Sequence, residues 1–255
     1  MTHTEEFLAR IGLAGTPVAH TVEFLGAEQT ACVLTIPYEN LDILQNKPIS
    51  LNADDIYRKV VTEHRGGYCF ELNALLHRML TEMGFAVRSR FARYLRGENT
   101  IPFRRHRIVT VCLDGGEEYM VDIGVGQVAP RLPLRLREGE IQEQNGETYR
   151  FTRDADLGWV LWDLHKGQWR RYISFTEETQ VEEDFIPASF WCEKHPDSPF
   201  NKDHMIAIKT ADGRRTVDGN VYKEFVGDAC VHEETMDETR TAQVLLDIFG
   251  LAAHT

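Results

Sequence analysis

The chain has 255 residues, of which 42% are hydrophobic and 27% charged, as in a globular protein of one large domain or two to three small ones. No apolar run reaches the roughly 18 residues that span a bilayer, and the first six residues lack the basic and apolar regions of a secretory signal. The net charge of −12 argues against a general polyanion binder such as a DNA-coating protein.

The first 84 residues predict helices. Thr4, Thr21 and Asn52 each precede helix-forming residues and are placed to cap an N-terminus. A further helix begins near Cys69 and carries apolar residues at the spacing of a helix face packed on a core. These apolar residues are Leu72, Leu75, Leu76, Met79, Leu80 and Met83. Gly84 follows, where a left-handed residue ends a helix.

Beyond residue 84 the pattern changes to the two-residue alternation of strands. Residues 85–95 alternate apolar and basic side chains, and residues 107–113 and 118–123 flank the turn Asp114-Gly-Gly, which predicts a hairpin. Further strands are expected at 147–153, 159–165 and 169–175. Many short strands with polar turns are typical of an antiparallel barrel or sandwich.

The last third of the chain is less regular. From about Glu177, an acidic segment and three prolines, at 187, 196 and 199, predict an irregular stretch. A hairpin is expected around Ala211-Asp-Gly-Arg. Asp237 is placed to cap a last helix over residues 238–249.

Five cysteines, at positions 32, 69, 112, 192 and 230, form no CxxC pair, so neither a zinc ribbon nor a thioredoxin motif is expected. We expect reduced thiols in a cytoplasmic protein. Cys69 differs from the others because it follows Arg65-Gly-Gly and stands at a predicted helix N-terminus, where the helix dipole and free N–H groups stabilise a thiolate. It is a candidate nucleophile, and a core cysteine is the alternative.

A thiolate nucleophile usually works with a histidine that a third group orients. His106 stands at the start of one strand of the predicted hairpin, and Asp122 stands at the end of the other. If the strands pair, the two side chains meet, and a buried carboxylate has the partner that it needs. Taken singly, a surface histidine and a turn aspartate are the simpler interpretations.

Five segments resemble the arylamine N-acetyltransferases, in that family's order and at its spacing. They are Ile36-Pro-Tyr-Glu-Asn-Leu, Arg65-Gly-Gly-Tyr-Cys-Phe-Glu-Leu-Asn, His106 ahead of its strand, Val121-Asp-Ile-Gly-Val-Gly and His195-Pro-Asp-Ser-Pro-Phe. The resemblance implies an α+β fold with a cysteine-protease-like core. Its three domains would be a helical bundle over residues 1–84, an antiparallel β-barrel over 85–185 and an α/β lid over 186–255.

The resemblance also implies a triad of Cys69, His106 and Asp122 and a ping-pong acetyl transfer. Cys69 would take the acetyl group from acetyl-CoA and pass it to an arylamine, hydrazine or arylhydroxylamine, with His106 as base and Asp122 as its orienting partner. No metal, nucleic acid or membrane partner is implied. Supporting polar groups near the triad would be Arg65, Glu71 and Asn73.

Three residues are candidates for the acceptor pocket: Tyr38, Tyr68 and Val125. The two tyrosines have an alternative role in closing the helical core. Val125 stands where the family commonly has Phe, which predicts a roomier pocket and an altered preference among arylamines. Simple repacking around the smaller side chain is the alternative.

Seven arginines and one glutamate between Arg88 and Arg107 give this segment a net charge of +6. Arg105 stands where the family often has Thr. Arg104 and Arg105 are candidate ligands for the phosphates of CoA, together with Phe200 as a further CoA-binding residue. The solvated face of an alternating strand is the alternative and is expected for arginines 88, 90 and 93.

Other functions remain open from the residues alone. A Cys–His–Asp triad also serves transglutaminase-like enzymes and cysteine peptidases, which form the same kind of acyl-enzyme. A non-catalytic binding protein on the same fold is a further possibility, although an intact triad argues against it.

Overall fold

The computed structural model describes residues 1–252, which form seven α-helices and twelve β-strands. The helices are α1 His3–Arg10, α2 Val22–Thr35, α3 Leu41–Leu44, α4 Ala53–Tyr57, α5 Cys69–Glu82, α6 Ile186–Lys194 and α7 Glu238–Phe249. A π-helical turn at Arg58–Thr62 continues α4. Among the described residues, no helix combines the length and the apolar character needed to cross a membrane.

Polar side chains begin the helices of the first 84 residues. Thr21 and Asn52 accept hydrogen bonds from backbone N–H groups in the first turns of α2 and α4, as predicted. The prediction that Thr4 caps α1 is wrong by two residues. Thr2 accepts from the N–H of Glu5, and the Glu5 carboxylate accepts from the N–H of Thr2, which makes a capping box.

An eight-stranded antiparallel sheet follows the helices and confirms the predicted barrel. Its strands are β1 Ala86–Tyr94, β2 His106–Cys112, β3 Glu118–Val121, β4 Leu134–Arg135, β5 Ile141–Gln144, β6 Glu147–Asp154, β7 Gly158–His165 and β8 Gln168–Phe175. Their order is β4-β3-β2-β1-β8-β7-β6-β5. The Gln142 side chain in β5 bonds both the N–H and the carbonyl of Arg135 in β4, at 2.8 and 2.9 Å, so the two edges nearly close.

A second antiparallel sheet has the order β12-β11-β10-β9. Its strands are β9 Met205–Lys209, β10 Gly213–Asp218, β11 Val221–Val226 and β12 Ala229–Thr235. The first two form the hairpin predicted near residue 211, whereas the other two were not predicted. Helix α7 packs on this sheet, begins at an Asp237 cap as predicted and ends at Gly250 in a left-handed conformation.

The expected irregular stretch after Glu177 contains a helix. A 3₁₀ turn at Glu182–Phe185 leads into α6, with Pro187 in its first turn. A proline there loses no hydrogen bond, because the first N–H groups of a helix have no partner within it. The proline therefore marks a helix start rather than a break.

The expectation that the arginines of β1 form a solvated face is wrong for Arg90, which is buried. Its guanidinium bonds Thr110 and the carbonyl of Glu177 and pairs with Glu118. Arg107 in β2 is also fully buried, and Glu182 binds it through both carboxylate oxygens at 2.6 and 2.7 Å. Acidic residues before α6 thus neutralise part of the basic segment.

Three main apolar cores hold these elements. Helices α1, α2, α4 and α5 pack together and against valines of β2 and β3, the interior of the eight-stranded sheet forms a second core, and α7 with the second sheet forms a third. The division into domains at residues 84 and 185 stays a prediction.

Candidate active site

Cys69 is the first residue of α5 and is 3% exposed. The carboxylate of Glu71 accepts a hydrogen bond from the backbone N–H of Tyr68 at 3.2 Å, which holds the start of the helix. The Cys69 Sγ lies 3.8 Å from the carbonyl oxygen of Arg105. Since Arg105 precedes His106, the thiol lies beside the start of β2.

The β2–β3 hairpin brings His106 and Asp122 together, as its predicted pairing requires. Val109 pairs with Val121, so the start of β2 and the end of β3 lie at the same end of the hairpin. The His106 Nε2 is 2.7 Å from the Asp122 Oδ2, and both side chains are buried. The hydrogen bond leaves Nδ1 of the ring available for proton transfer.

Asn73 links the nucleophile helix to this pair. It stands one turn after Cys69, and its Nδ2 donates to the Asp122 Oδ1 at 2.8 Å and to the Arg107 carbonyl at 2.5 Å. Its Oδ1 accepts from the N–H of Ile123 at 3.1 Å. A single side chain therefore fixes α5, the end of β3 and the start of β2 relative to one another.

Gly124 allows the loop after Asp122 to approach Cys69. A Cβ at this position would lie 2.6 Å from the Asn73 Nδ2 and 2.8 Å from the Cys69 Cα, closer than real Cβ contacts. Only glycine fits this approach without a shift of the helix or of the loop.

The pKa of the Cys69 thiol is raised well above its usual range, first by burial and then by the nearby Cys192 and Asp122, although hydrogen bonds from backbone groups oppose this. The helix N-terminus alone therefore does not make the thiolate the resting form. Arg65 adds no free positive charge, because Glu39 and Asp42 bind its guanidinium at 2.7 and 3.1 Å.

A buried ion-pair network lies behind the nucleophile. Lys59 Nζ is 2.7 Å from both the Asp42 and the Glu71 carboxylates, and Asp42 also pairs with Arg65. The second oxygen of Glu71 holds the N–H of Tyr68, so the network supports the start of α5. Arg65 and Glu71 thus lie near the triad as structural support, and Lys59 is a further member that the sequence motifs do not contain.

A cleft of about 590 Å³ between the two sheets contains Cys69 and His106 in its wall. Of the other predicted site residues, four line it: Tyr38, Arg105, Val125 and Phe200. Walls with both apolar and charged groups suit a ligand that is part apolar and part anionic. Within residues 1–252, no group of three or more His, Cys, Asp or Glu side chains is arranged to hold a metal ion.

A model of the N-acetyltransferase family matches residues 21–254. The arylamine N-acetyltransferase of Mycolicibacterium smegmatis is 32% identical over 250 residues, which cover 96% of this chain and 90% of that protein. The solved structure of the Salmonella typhimurium enzyme matches with a TM-score of 0.94 at 28% identity, covering 100% of this chain and 93% of that one. The structure of Mycobacterium marinum arylamine N-acetyltransferase in complex with CoA matches with a TM-score of 0.89 at 29% identity, covering 96% and 92%.

The chain belongs to the arylamine N-acetyltransferase family.

Membership of this family identifies the protein as an acetyltransferase enzyme. It decides against the three alternatives left open by the residues, a transglutaminase-like enzyme, a cysteine peptidase and a non-catalytic binding protein. The α+β architecture expected for an arylamine N-acetyltransferase is also confirmed.

Two of the residues predicted to bind the acceptor or CoA do not line the cleft of this arylamine N-acetyltransferase. Tyr68 is fully buried and bonds Ser189, so it closes the core instead of lining the acceptor pocket. Arg104 bonds Glu178 and Thr176 and does not line the cleft. Thr176 and Glu178 lie more than 70 residues further along the chain, and sequence reasoning had no means to place them against Arg104.

The cleft contains cations that were not among the predicted site residues. They are Arg96, Arg131, Arg170, Lys209 and Arg214. Asp163 binds both Arg96 and Arg170, at 2.5 and 2.6 Å. These residues come from four separate parts of the chain, and only the packing of the two sheets brings them to one cleft.

Proposed function

We propose that the protein transfers the acetyl group of acetyl-CoA to arylamines, hydrazines or arylhydroxylamines by a ping-pong mechanism through an acetyl-Cys69 intermediate. The observation that carries the proposal is the 2.7 Å hydrogen bond between His106 and Asp122 beside a cysteine at a helix N-terminus in the cleft wall. The CoA bound to the Mycobacterium marinum relative supports the choice of donor.

In the first half-reaction, His106 takes the proton of the Cys69 thiol. Because burial raises the pKa of this thiol, the thiolate forms only as an ion pair with the imidazolium. The sulfur attacks the thioester carbonyl, and backbone N–H groups near Cys69 stabilise the oxyanion. The carbon–sulfur bond to CoA breaks, and His106 returns its proton to the departing thiolate.

In the second half-reaction, the acceptor amine attacks the carbonyl of acetyl-Cys69. His106, neutral again, takes a proton from the amine nitrogen as general base. The bond to Cys69 breaks, the thiolate leaves, and an amide is released. The exchange of one thioester for another costs little free energy, whereas amide formation makes the overall transfer favourable.

Asp122 orients the imidazole and stabilises its charged form. Asn73 keeps Asp122 in place through the hydrogen bond of 2.8 Å. Both are positioning residues in this mechanism, because neither touches the reacting atoms.

The donor and the acceptor would occupy the cleft one after the other, because in a ping-pong mechanism CoA leaves before the acceptor binds. Tyr38 and Val125 line it and would contact the arylamine ring, whereas Arg105 and Phe200 line it and would contact CoA. Val125 has no ring, which supports the expectation of a roomier acceptor pocket.

Intact-protein mass spectrometry tests the intermediate. After incubation with acetyl-CoA and no acceptor, we expect the mass to rise by one acetyl group, located on Cys69 by peptide mapping. Addition of an arylamine should return the protein to its original mass and release acetylated amine.

Two cysteine variants provide the controls. Cys192→Ala, which removes the neighbouring buried thiol, should still be acetylated, whereas Cys69→Ala should not. Acetylation at another residue, or acetyl transfer by Cys69→Ala at the wild-type rate, would contradict the proposal.

A further inference from the structure

Among residues 1–252, Arg131 is a buried guanidinium without a carboxylate partner. It is 4% exposed, and its Nη2 donates a hydrogen bond to the carbonyl oxygen of Gly213, at 2.9 Å. Arginine stays charged at any physiological pH, so its burial is costly unless an anion balances it. Since Arg131 lines the cleft, an anionic ligand there can supply that charge.

Two further cations accompany Arg131 in the cleft. Lys209 in β9 and Arg214 in β10 are register partners, and the hydrogen bond to Gly213 ties Arg131 to the same hairpin. Burial lowers the pKa of Lys209, the carboxylate of Glu147 opposes this, and the charges of Arg131 and Arg214 lower it further. The three positive groups therefore lie close enough to affect one another.

The carboxylates that form ion pairs with this cluster bind Lys209 and Arg214 rather than Arg131. Glu147 binds Lys209 at 2.5 Å, and Asp228 lies 3.8 Å from the Arg214 guanidinium, whose Nε instead donates to Gln127. Within residues 1–252, Arg131 is the member of the cluster that no carboxylate binds. Other cleft arginines differ, since Arg96 and Arg170 share Asp163 at hydrogen-bond distance.

The cluster lies along the cleft from the nucleophile. Tyr38, whose ring lines the cleft with Cys69, pairs with Ala207 of β9, and Lys209 stands two residues further along that strand. Arg131 stands nine residues after Asp122, on the loop that leaves the triad. A ligand that reaches both Cys69 and this cluster needs an elongated apolar arm with an anion at its far end.

We propose that Arg131, Lys209 and Arg214 bind the diphosphate of CoA, with Arg131 as the principal ligand. The assignment rests on the acetyl-CoA-dependent function proposed above. The pantetheine arm separates the thioester from the diphosphate, as the placement of Cys69 and the cluster requires. The diphosphate is assigned rather than the 3′-phosphate because it is the first anionic group along the arm from the thioester.

Steady-state kinetics of Arg131→Met with three acetyl donors test this assignment. The donors are acetyl-CoA, acetyl-dephospho-CoA, which lacks the 3′-phosphate, and S-acetyl-pantetheine, which also lacks the diphosphate. A lost charge-assisted hydrogen bond to phosphate should raise KM for both CoA donors roughly 10- to 100-fold. With S-acetyl-pantetheine, the ratio of the variant KM to the wild-type KM should return to near one.

Each contrary result has a distinct meaning. An unchanged KM for acetyl-CoA, or an equal rise with S-acetyl-pantetheine, would overturn the assignment. A rise that disappears with acetyl-dephospho-CoA would move the contact to the 3′-phosphate and so overturn it for the diphosphate. If no donor acetylates the wild-type enzyme, the proposed function fails instead.

Arg170→Met is the matched control, because Arg170 lines the same cleft but is paired with Asp163. Its KM for acetyl-CoA should change much less than that of Arg131→Met. If Arg131→Met does not fold, Arg214→Gln should show the same dependence on the donor with a smaller rise in KM, and the absence of that dependence would overturn the assignment.

Discussion

Two groups of charged residues lie near Cys69 and differ in how their charges are paired. Behind α5, Lys59 and Arg65 are each bound by two carboxylates, with three acids for two cations. In the cleft, Arg131 has a carbonyl oxygen as its partner and no carboxylate within the described residues. The comparison teaches that the cations behind α5 are matched inside the protein, whereas the cleft, whose other cations also have carboxylate partners, contains one buried arginine that a ligand can match.

Removing a cation from the matched network is expected to have the largest effect on stability. Lys59→Met leaves Glu71 buried and without its cation, so the free energy of unfolding should fall by about 3–5 kcal/mol. Urea unfolding measures this. The double variant Lys59→Met/Glu71→Gln should recover most of the lost free energy of unfolding. It removes the unpaired charge of Glu71, and Asp42 remains paired with Arg65.

Arg58→Met is the control for that loss. Arg58 pairs with Asp55 and Glu63, but its side chain is 63% exposed. Exposed pairs contribute about 0.2–1 kcal/mol. If the double variant is no more stable than Lys59→Met, the loss comes from the packing of the lysine stem and the matched network has no special role.

Glu28 in α2 shows how a buried unpaired acid differs from a buried unpaired arginine. Its carboxyl is fully buried, neither oxygen has a hydrogen-bond partner in the described part of the chain, and burial raises its pKa to about 8. In the unfolded chain its pKa is near 4.5, so between these values the folded state binds the extra proton. An acid can lose its charge by this route, whereas Arg131 cannot.

The folded state should therefore lose stability as the pH rises from 5 to 7, by about 2–3 kcal/mol from this residue alone. Urea unfolding at pH 5, 6 and 7 should show the slope in the wild type and a flatter one in Glu28→Gln. Glu23→Gln, on the exposed side of the same helix, should keep the wild-type slope. Equal slopes in all three proteins would show that Glu28 is ionised or solvated.

Of these variants, Val125→Phe is expected to have the smallest effect. It tests the contribution of the apolar wall of the cleft to acceptor binding, independently of the cations. A ring at this position should lower kcat/KM for bulky arylamines by about tenfold and leave small ones nearly unchanged. The KM for acetyl-CoA should stay close to that of the wild type, the opposite of the pattern for Arg131→Met. An unchanged ranking across a panel of arylamines would mean that Val125 only repacks.

The placement of Cys69, His106 and Asp122 was predictable from sequence because local rules position each of these residues, whereas their catalytic roles stay a proposal. Helix periodicity put Cys69 at an N-terminus, and the turn Asp114-Gly-Gly defined the hairpin whose ends carry His106 and Asp122. The antiparallel barrel followed from the same alternation. These features depend on residues close together in the chain.

The charge partners were not predictable, because they depend on packing between distant segments. Arg104 meets Glu178, and Arg131 meets the hairpin at Gly213, across 74 and 82 residues. Tyr68 lies in the core, where Ser189 of α6 forms a hydrogen bond with it. Helix α6 was not predicted, because Pro187 was interpreted as part of an irregular stretch. A single sequence shows which residues are charged, but it does not show which distant residues they contact in the folded chain.

The close approach of Gly124 to α5 also sets rules for engineering. A library intended to widen the acceptor range should keep residue 124 as glycine, because any side chain there would separate the Cys69 helix from the Asp122 loop. The next position, Val125, already has a side chain in the cleft and is the place to randomise. Selectivity can thus be altered one residue away from a position at which every substitution is expected to stop turnover.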